Sequence, residues 1–539
     1  ERSLNRRNVV MSQMVKYELL DQAAYDTLKT QPIEVDFQAE DHNEGLATYY
    51  REYIKPSLVR WARENGYDLY ADGLRFHTSL DANLQQYAEE AMIEHMRYQQ
   101  AIFFQQWKGR NPWVNDEGRE IPGFLDRMIR QTPQYRALVA QYGKQSDSVD
   151  YFMNKPMRTE LFSWNNPELA VDTMISPIDS LKHVKHYLHA GLMAMDPRSG
   201  EIRAWVGGIN HRFFKYDHVK QGARQPGSTF KAAVYAAAID NGYTPCHPVW
   251  DNPTVFYLPD GTEYIPQNSS GEFSGDQLTL RQGLAQSKNS VSSYLVRRLG
   301  PQMVVDYAKR LGITTPIDAV PSLALGTSDV SVYDITGMYS TFVNQGTWTQ
   351  PHSLLRIEDR QGRVLQTFTP EVRDALSPQT AYTMVHMLRG TTQEKNGTAL
   401  GLWSRSKVLT DGNQVAAKTG TTDNYSDGWF VGATKDLVTS VWVGAEERSI
   451  HFRSFAYGQG ARMAMPIWYK FMDKAYADAT TGLTKGPFPV PDGYTFDFNC
   501  DDVTGAAPGN GSPVSADPEA EETPTDDDTY VQPRRQEFE

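Results

Sequence analysis

Cysteine is almost missing from this chain. Cys246 and Cys500 are the only two among 539 residues, which excludes a disulfide-dense scaffold and a cysteine-built zinc site, and leaves open a single bond between them in an oxidising compartment. Long apolar runs are missing too: none approaches the roughly 20 residues that cross a bilayer as a helix. Nor are there clusters of Lys and Arg. With 53 basic against 66 acidic residues, a net charge of −13, the chain offers no electrostatic footprint for nucleic acid. Much of that charge sits in residues 501–539, where 11 acids face only Arg534 and Arg535; this Pro-, Asp-, Glu- and Thr-rich stretch reads as a disordered, solvated extension. His183, His186 and His189 recur every three residues but lack acidic or cysteine neighbours, so they read as solvated or helix-capping, and no metal or cofactor is expected.

What is present is 40% hydrophobic residues, enough for substantial cores, and a length that admits about three domains at about 100–200 residues each. Three short stretches carry chemistry. Ser228-Thr229-Phe230-Lys231 follows Gln225-Pro226-Gly227, a helix breaker, and opens an alanine-rich helical pattern that ends near Gly242. A serine hydroxyl needs a base within reach and donors for the oxyanion that forms. At the start of a helix it has free N–H groups and the positive end of the dipole. Lys231 at i+3 shares its face, and apolar surroundings lower its pKa toward the range of a base.

The second stretch, Ser287-Lys288-Asn289, connects two helical patterns over 278–286 and 291–299. A loop there can present a hydroxyl to relay a proton and a carboxamide to hold a substrate amide. The third, Lys418-Thr419-Gly420-Thr421, belongs to a strand. Runs at 415–422, 427–433 and 437–444 read as an antiparallel meander. Gly420 is expected to leave room for a substrate backbone at the strand edge, bound by strand addition, with Lys418, Thr419 and Thr421 donating to a substrate carboxylate.

In this order the three motifs resemble those of the penicillin-interacting serine acyltransferases. Similarity extends from about 183 to 490. The opening hairpin turns at Asp196-Pro197-Arg198-Ser199-Gly200, and Arg224-Gln225-Pro226-Gly227, Ala324-Leu325-Gly326-Thr327 and the Pro466-Ile467-Trp468 helix are likewise similar to the class A penicillin-binding proteins. The resemblance implies an α/β (α+β type) fold, with a central antiparallel sheet flanked by helices and an all-helical subdomain, preceded by a linker domain. Residues 1–34 resemble the last helices of a glycosyltransferase module whose acidic catalytic motif has no match here; Glu40-Asp41-His42 falls after that module's expected end. The chain therefore reads as a fragment of a longer, membrane-anchored extracytoplasmic (periplasmic) protein that is also a glycosyltransferase. Residues 35–182 are expected to be a linker, with a strand within 71–81, an amphipathic helix over 82–98 and an aromatic-rich insertion at 99–177 suited to cell-wall synthesis partners. The acidic tail is placed at 491–539.

By resemblance, Ser228 attacks the carbonyl between the terminal D-alanines of a peptidoglycan stem peptide. The acyl group then passes to an amine, a cross-link, or to water, a carboxypeptidase product. Lys231 is the implied base and Ser287 the proton relay; Asn289 and Lys418 organise the site, Thr419, Gly420 and Thr421 bind substrate, and the N–H groups of Ser228 and Thr421 hold the oxyanion. β-Lactams are expected to acylate the same serine. A serine β-lactamase and a non-enzymatic β-lactam sensor are the alternatives: the first lacks a recognisable deacylation base, the second sits poorly with an intact motif set.

Overall fold

The computed structural model describes residues 2–32, 45–496, 498 and 500; Glu40-Asp41-His42 and the stretch 501–539 lie outside the described residues. The chain divides into two compact units, 1–45 and 46–539. In the first, helices Arg2–Lys16 and Gln22–Leu28 are tied together by the Arg7 guanidinium, which donates to the carbonyls of Leu28 (3.2 Å) and Gln31 (2.7 Å).

At the centre of the second unit stands an antiparallel sheet of β1 (Leu188–Met195), β2 (Ile202–Val206), β3 (Ala416–Thr421), β4 (Asp427–Ala433) and β5 (Val438–Ala445). Its spatial order is β3-β4-β5-β1-β2, so the expected meander forms and the hairpin at 196–200 closes onto it. Strand side chains alternate between faces. Leu188, Ala190, Leu192 and Ala194 enter one core while Met193 and Met195 enter the other. Because both faces are buried, β1 reads as an apolar run interrupted only by the buried His189.

Seven helices matter for the site: α1 (Ala82–Gln106), α2 (Lys231–Asp240), α3 (Leu280–Ala285), α4 (Asn289–Leu299), α5 (Val332–Val343), α6 (Pro378–Arg389) and α7 (Met465–Ala477). α1 and α7 cover one sheet face, and α5, with α2 and α6 beyond it, covers the other. α2 is buried around its circumference, as a helix without a polar face must be. Residues 108–188 carry three short helices, a hairpin pairing Met157–Phe162 with Ala170–Ile175, and a fourth helix. A small core of Ile129, Val149 and Met153 holds them.

Two expectations are corrected. The helix expected over 82–98 continues to Gln106. Its polar residues misled the reading: Gln99 donates to the Tyr457 carbonyl and Gln100 to that of His186, both while buried. The tail, expected to begin at 491, is docked on the body at Tyr494, Phe498 and Cys500. Tyr494 and Thr383 share a hydrogen bond of 2.8 Å, Phe498 stacks on His386, and Cys500 is bonded to Cys246. Aromatic residues at 494, 496 and 498 give this segment the apolar surface that the acidic residues after it lack.

Because the Cys246–Cys500 bond closes a loop of 254 residues, its loss is expected to cost about 2–4 kcal/mol through the entropy of the unfolded chain. Cys500→Ser should melt several degrees lower than the unmodified chain under non-reducing conditions, with the difference vanishing in dithiothreitol. Equal melting temperatures in oxidant would show that the bond only tethers the chain end.

Candidate active site

The nucleophile turn is built on buried polar contacts. Arg224, in a two-residue strand paired with Val330–Ser331, meets the fully buried Asp427 carboxylate at 2.7 Å. Asp427 also accepts from Trp442 Nε1 and Ser426 Oγ, so the charge is both paired and hydrogen-bonded, as burial demands. Trp429 Nε1 donates to the Gln225 carbonyl at 2.8 Å, which pins the chain just before Pro226. Gly227 then turns with φ +52°, and a Cβ there would stand 2.7 Å from the Thr421 carbonyl oxygen. Both the left-handed backbone and the close approach call for glycine. A single 3-10 turn, Gly227–Phe230, leads into α2 and leaves Ser228 half-buried.

One turn on, Lys231 is completely buried, its Nζ donating to the Ser287 carbonyl at 2.8 Å and to Asn289 Oδ1 at 2.6 Å. Burial, reinforced by the nearby Lys418 ammonium, holds its pKa well below the usual lysine range. Lys418 reaches the same loop from β3: its Nζ donates to Ser287 Oγ at 2.8 Å and to the Thr419 carbonyl at 3.0 Å. Burial pushes it down to about 7. Ser287 thus takes one lysine on its carbonyl and the other on its hydroxyl. It does so in a left-handed conformation, φ 60°, which is uncommon for a side-chain-bearing residue.

What holds that loop is Asp251, which no feature of the sequence singled out. Its buried carboxylate accepts from Lys288 Nζ (2.7 Å), Ser290 Oγ (2.6 Å), Asn268 Nδ2 (2.8 Å) and Ser274. Burial opposes ionisation, but these donors outweigh it and hold the carboxyl far below its ordinary range. Lys288 is therefore turned away from the cleft, and Asn268 Oδ1 receives the N–H groups of Asn289 and Ser290 at the start of α4. Asn289 was expected to hold a substrate amide. Its Oδ1 instead faces Lys231 while its Nδ2 donates to the Gln267 carbonyl at 2.6 Å.

Ser228, Ser287, Asn289, Thr419 and Thr421 open onto one cleft of about 530 Å³, whose far wall is the 264–271 loop and whose rim includes Tyr425 and Phe455. Gly420 is corrected: a Cβ there would meet the Pro226 carbonyl oxygen at 2.4 Å. Its missing side chain lets β3 lie against the nucleophile turn and does not make room for a substrate. β3 pairs with β4 alone, so its other edge is open among the described residues. Thr421 Oγ1 accepts from Gly460 N at 3.0 Å, joining the strand to the 455–463 segment. The histidine triplet lies elsewhere: His183 and His186 contact the carbonyls of Phe162 and Lys182, and His189 is buried against His218. A hydroxyl at a helix start, a buried lysine one turn away and a relay serine between two lysines form a set that can activate an alcohol and transfer an acyl group.

Residues 190–447 match the family described as penicillin binding protein transpeptidase domain, and residues 108–188 the penicillin-binding protein middle domain. Among curated relatives, penicillin-binding protein 1A of Aquifex aeolicus is 28% identical over 473 residues, covering 88% of this chain and 62% of the relative. Penicillin-binding protein 1A of Pseudomonas aeruginosa is 27% identical over 601 residues, covering 95% and 69%. The chain thus spans less than two thirds of the first relative's length. In fold it is similar to the crystal structure of penicillin-binding protein 1A from Haemophilus influenzae, with a TM-score of 0.63 at 21% identity, covering 88% of this chain and 77% of that one.

Proposed function

This chain belongs to the penicillin-binding proteins, and on that premise we propose that it is a serine D,D-transpeptidase that cross-links peptidoglycan stem peptides through an acyl-enzyme on Ser228. One observation carries the reading. The two buried lysines meet on Ser287, which joins the base beside the nucleophile to the cation beside the carboxylate site. A neutral Lys231 takes the proton from Ser228 Oγ as that oxygen adds to the carbonyl of the penultimate D-alanine. The oxyanion is held by the N–H groups of Ser228 and Thr421, each worth about 2.7–4 kcal/mol. Collapse breaks the peptide bond, and the departing D-alanine nitrogen takes its proton from Ser287 Oγ, which Lys418 resupplies. A stem-peptide amine then attacks the ester, its proton returning through Ser287 Oγ to Lys418, while Ser228 Oγ leaves as it takes back its proton from Lys231. Lys418, Thr419 and Thr421 receive the terminal carboxylate, while the open edge of β3 pairs with the stem backbone. Asn289 serves as a positioning residue for Lys231.

In this reading residues 183–490 are the catalytic domain and 35–182 the linker and interaction region, and the protein works outside the cytoplasm. Among the described residues no helix is long and apolar enough to cross a membrane.

The test is exposure to a penicillin, followed by intact mass and peptide mapping. One adduct on Ser228 is expected, and after removal of free drug it should persist for many minutes. Deacylation of a β-lactam needs a base aligned with water, typically a contribution of about 10²–10⁴ in rate. Asp423 is the single carboxylate among the described residues lining the cleft. Loss of the adduct within seconds would overturn the transpeptidase reading in favour of a β-lactamase, while persistence with release of D-alanine from a stem-peptide analogue supports it.

A further inference from the structure

Beside the cleft lies a second groove of about 600 Å³, between α1, α7 and the segment 455–462. Its surface is aromatic and cationic. Tyr98 is 62% exposed and Tyr457 44% exposed; Tyr469 stands beside them, and Arg405 and Arg462 flank them with exposed side chains. Among the described residues neither guanidinium pairs with a carboxylate. Glu94, the one acid in the groove, is already paired with Lys470.

Two stretches of backbone run from the cleft into this groove. Phe455 and Ala461 line the cleft, whereas their neighbours Ala456, Tyr457 and Arg462 line the groove. Thr398 lines the cleft, and the turn Leu400–Ser404 carries the chain on to Arg405 in the groove. The shared wall is held from both sides. Gly460 N reaches Thr421 Oγ1, while from α1 Gln99 donates to the Tyr457 carbonyl and His95 Nε2 contacts the Arg462 carbonyl at 3.0 Å. His95 is buried and so kept neutral, down to about 4; a neutral ring with its proton on Nε2 donates to that carbonyl.

Exposed tyrosines present an apolar face with a polar tip, which suits the C–H faces and hydroxyl rims of pyranose rings. Unpaired arginines suit carboxylates. The peptidoglycan substrate combines both on the sugar side of the stem peptide, and a groove of this volume holds a ligand of disaccharide size. The geometry points to this groove as the seat of the disaccharide that carries the stem peptide in the cleft, with Tyr98 and Tyr457 stacked on the sugar rings and Arg405 and Arg462 on the free carboxylate that the stem peptide carries next to the sugar. This rests on the transpeptidase reading and adds a second substrate subsite to it.

The experiment uses the full chain as Ser228→Ala, so that bound substrate is not turned over. Two ligands are titrated calorimetrically: a free stem pentapeptide, and the same pentapeptide attached to N-acetylglucosaminyl-N-acetylmuramic acid. The disaccharide form is expected to bind at least about tenfold more tightly. Adding Tyr98→Ala should erase the difference without changing affinity for the free peptide; Tyr98→Phe, which keeps the ring, should retain it. Equal affinity for the two ligands, no measurable binding of the disaccharide form at millimolar concentration, or an advantage that survives Tyr98→Ala would overturn the inference. Penicillin acylation of the chain with Ser228 restored separates the two readings. If acylation fails, the transpeptidase reading falls; if it succeeds and the sugar adds nothing, only the groove assignment falls.

Discussion

Lys231→Arg is expected to melt lower than the unmodified chain, because it buries a permanent charge, and in its folded form to slow acylation by a penicillin about 10²–10⁴-fold, the typical contribution of a positioned base. The lysine sits where its ammonium is least welcome: fully buried, with Lys418 as a second cation on the same serine. Desolvation first, and then that like charge, favours the neutral amine. A guanidinium at 231 keeps the donors but cannot be deprotonated in a protein. Stopped-flow acylation kinetics, with a melting curve to show that the variant is folded, checks this; near-normal acylation by a folded variant would remove Lys231 from the mechanism.

The same arrangement sets the sign of a pH profile. Lys231 is competent when neutral, so acylation should fall as pH drops through its lowered folded-state pKa. Lys418 binds the carboxylate when charged, so substrate capture should weaken as pH rises beyond about 7. A bell-shaped dependence of acylation on pH is the expected result, and the alkaline limb should disappear in Lys418→Arg. A profile that does not fall as pH rises beyond about 7 would contradict the role given to Lys418, and one that rises as pH falls would contradict that of Lys231.

Gly420→Ala carries the second large effect. Its new methyl group would stand 2.4 Å from the Pro226 carbonyl oxygen and 3.0 Å from Trp429 Cβ. One is backbone and the other belongs to a side chain anchored on the Gln225 carbonyl, so neither can swing aside. β3 must move away from the nucleophile turn. Overpacking of this kind costs about 1–3 kcal/mol, and a displacement near 1 Å can cost about 10² in rate. Both the melting temperature and penicillin acylation should fall. If Gly420 instead served only to clear a path for the substrate backbone, the variant would melt normally and lose peptide turnover alone.

The elements legible in advance share a property: their signals are local. The β3–β5 meander follows from β-branched runs punctuated by Gly and Asp, and the turn at 196–200 from Asp-Pro and Gly. The nucleophile turn follows from Pro226-Gly227 before an alanine-rich helix. In each, backbone preference and apolar period agree within a few residues. The readings that failed depended on partners distant in the chain. Gln99 and Gln100 look like a polar end to α1 because the carbonyls that receive them belong to residues 457 and 186. Tyr494 to Cys500 look like tail until α6 and Cys246 are beside them.

The catalytic constellation divides the same way. Which residue types meet, a serine and lysine one helical turn apart, a Ser-Lys-Asn loop and a Lys-Thr-Gly strand, was written in the sequence, because side-chain chemistry and helical spacing are local properties. How they meet was decided by the tertiary structure. A close approach of two backbones, the nucleophile turn and β3, sets Gly227 and Gly420, while the buried carboxylate of Asp251 turns Lys288 outward and orders the loop. Ser287 becomes the bridge because burial leaves two lysines few other acceptors. None of these could be read in advance, since an aspartate in a loop and a glycine in a strand look the same in sequence whether they face water or a buried partner more than thirty residues away. Desolvation and steric contact are properties of the assembled core, and they gave these ordinary residues their roles.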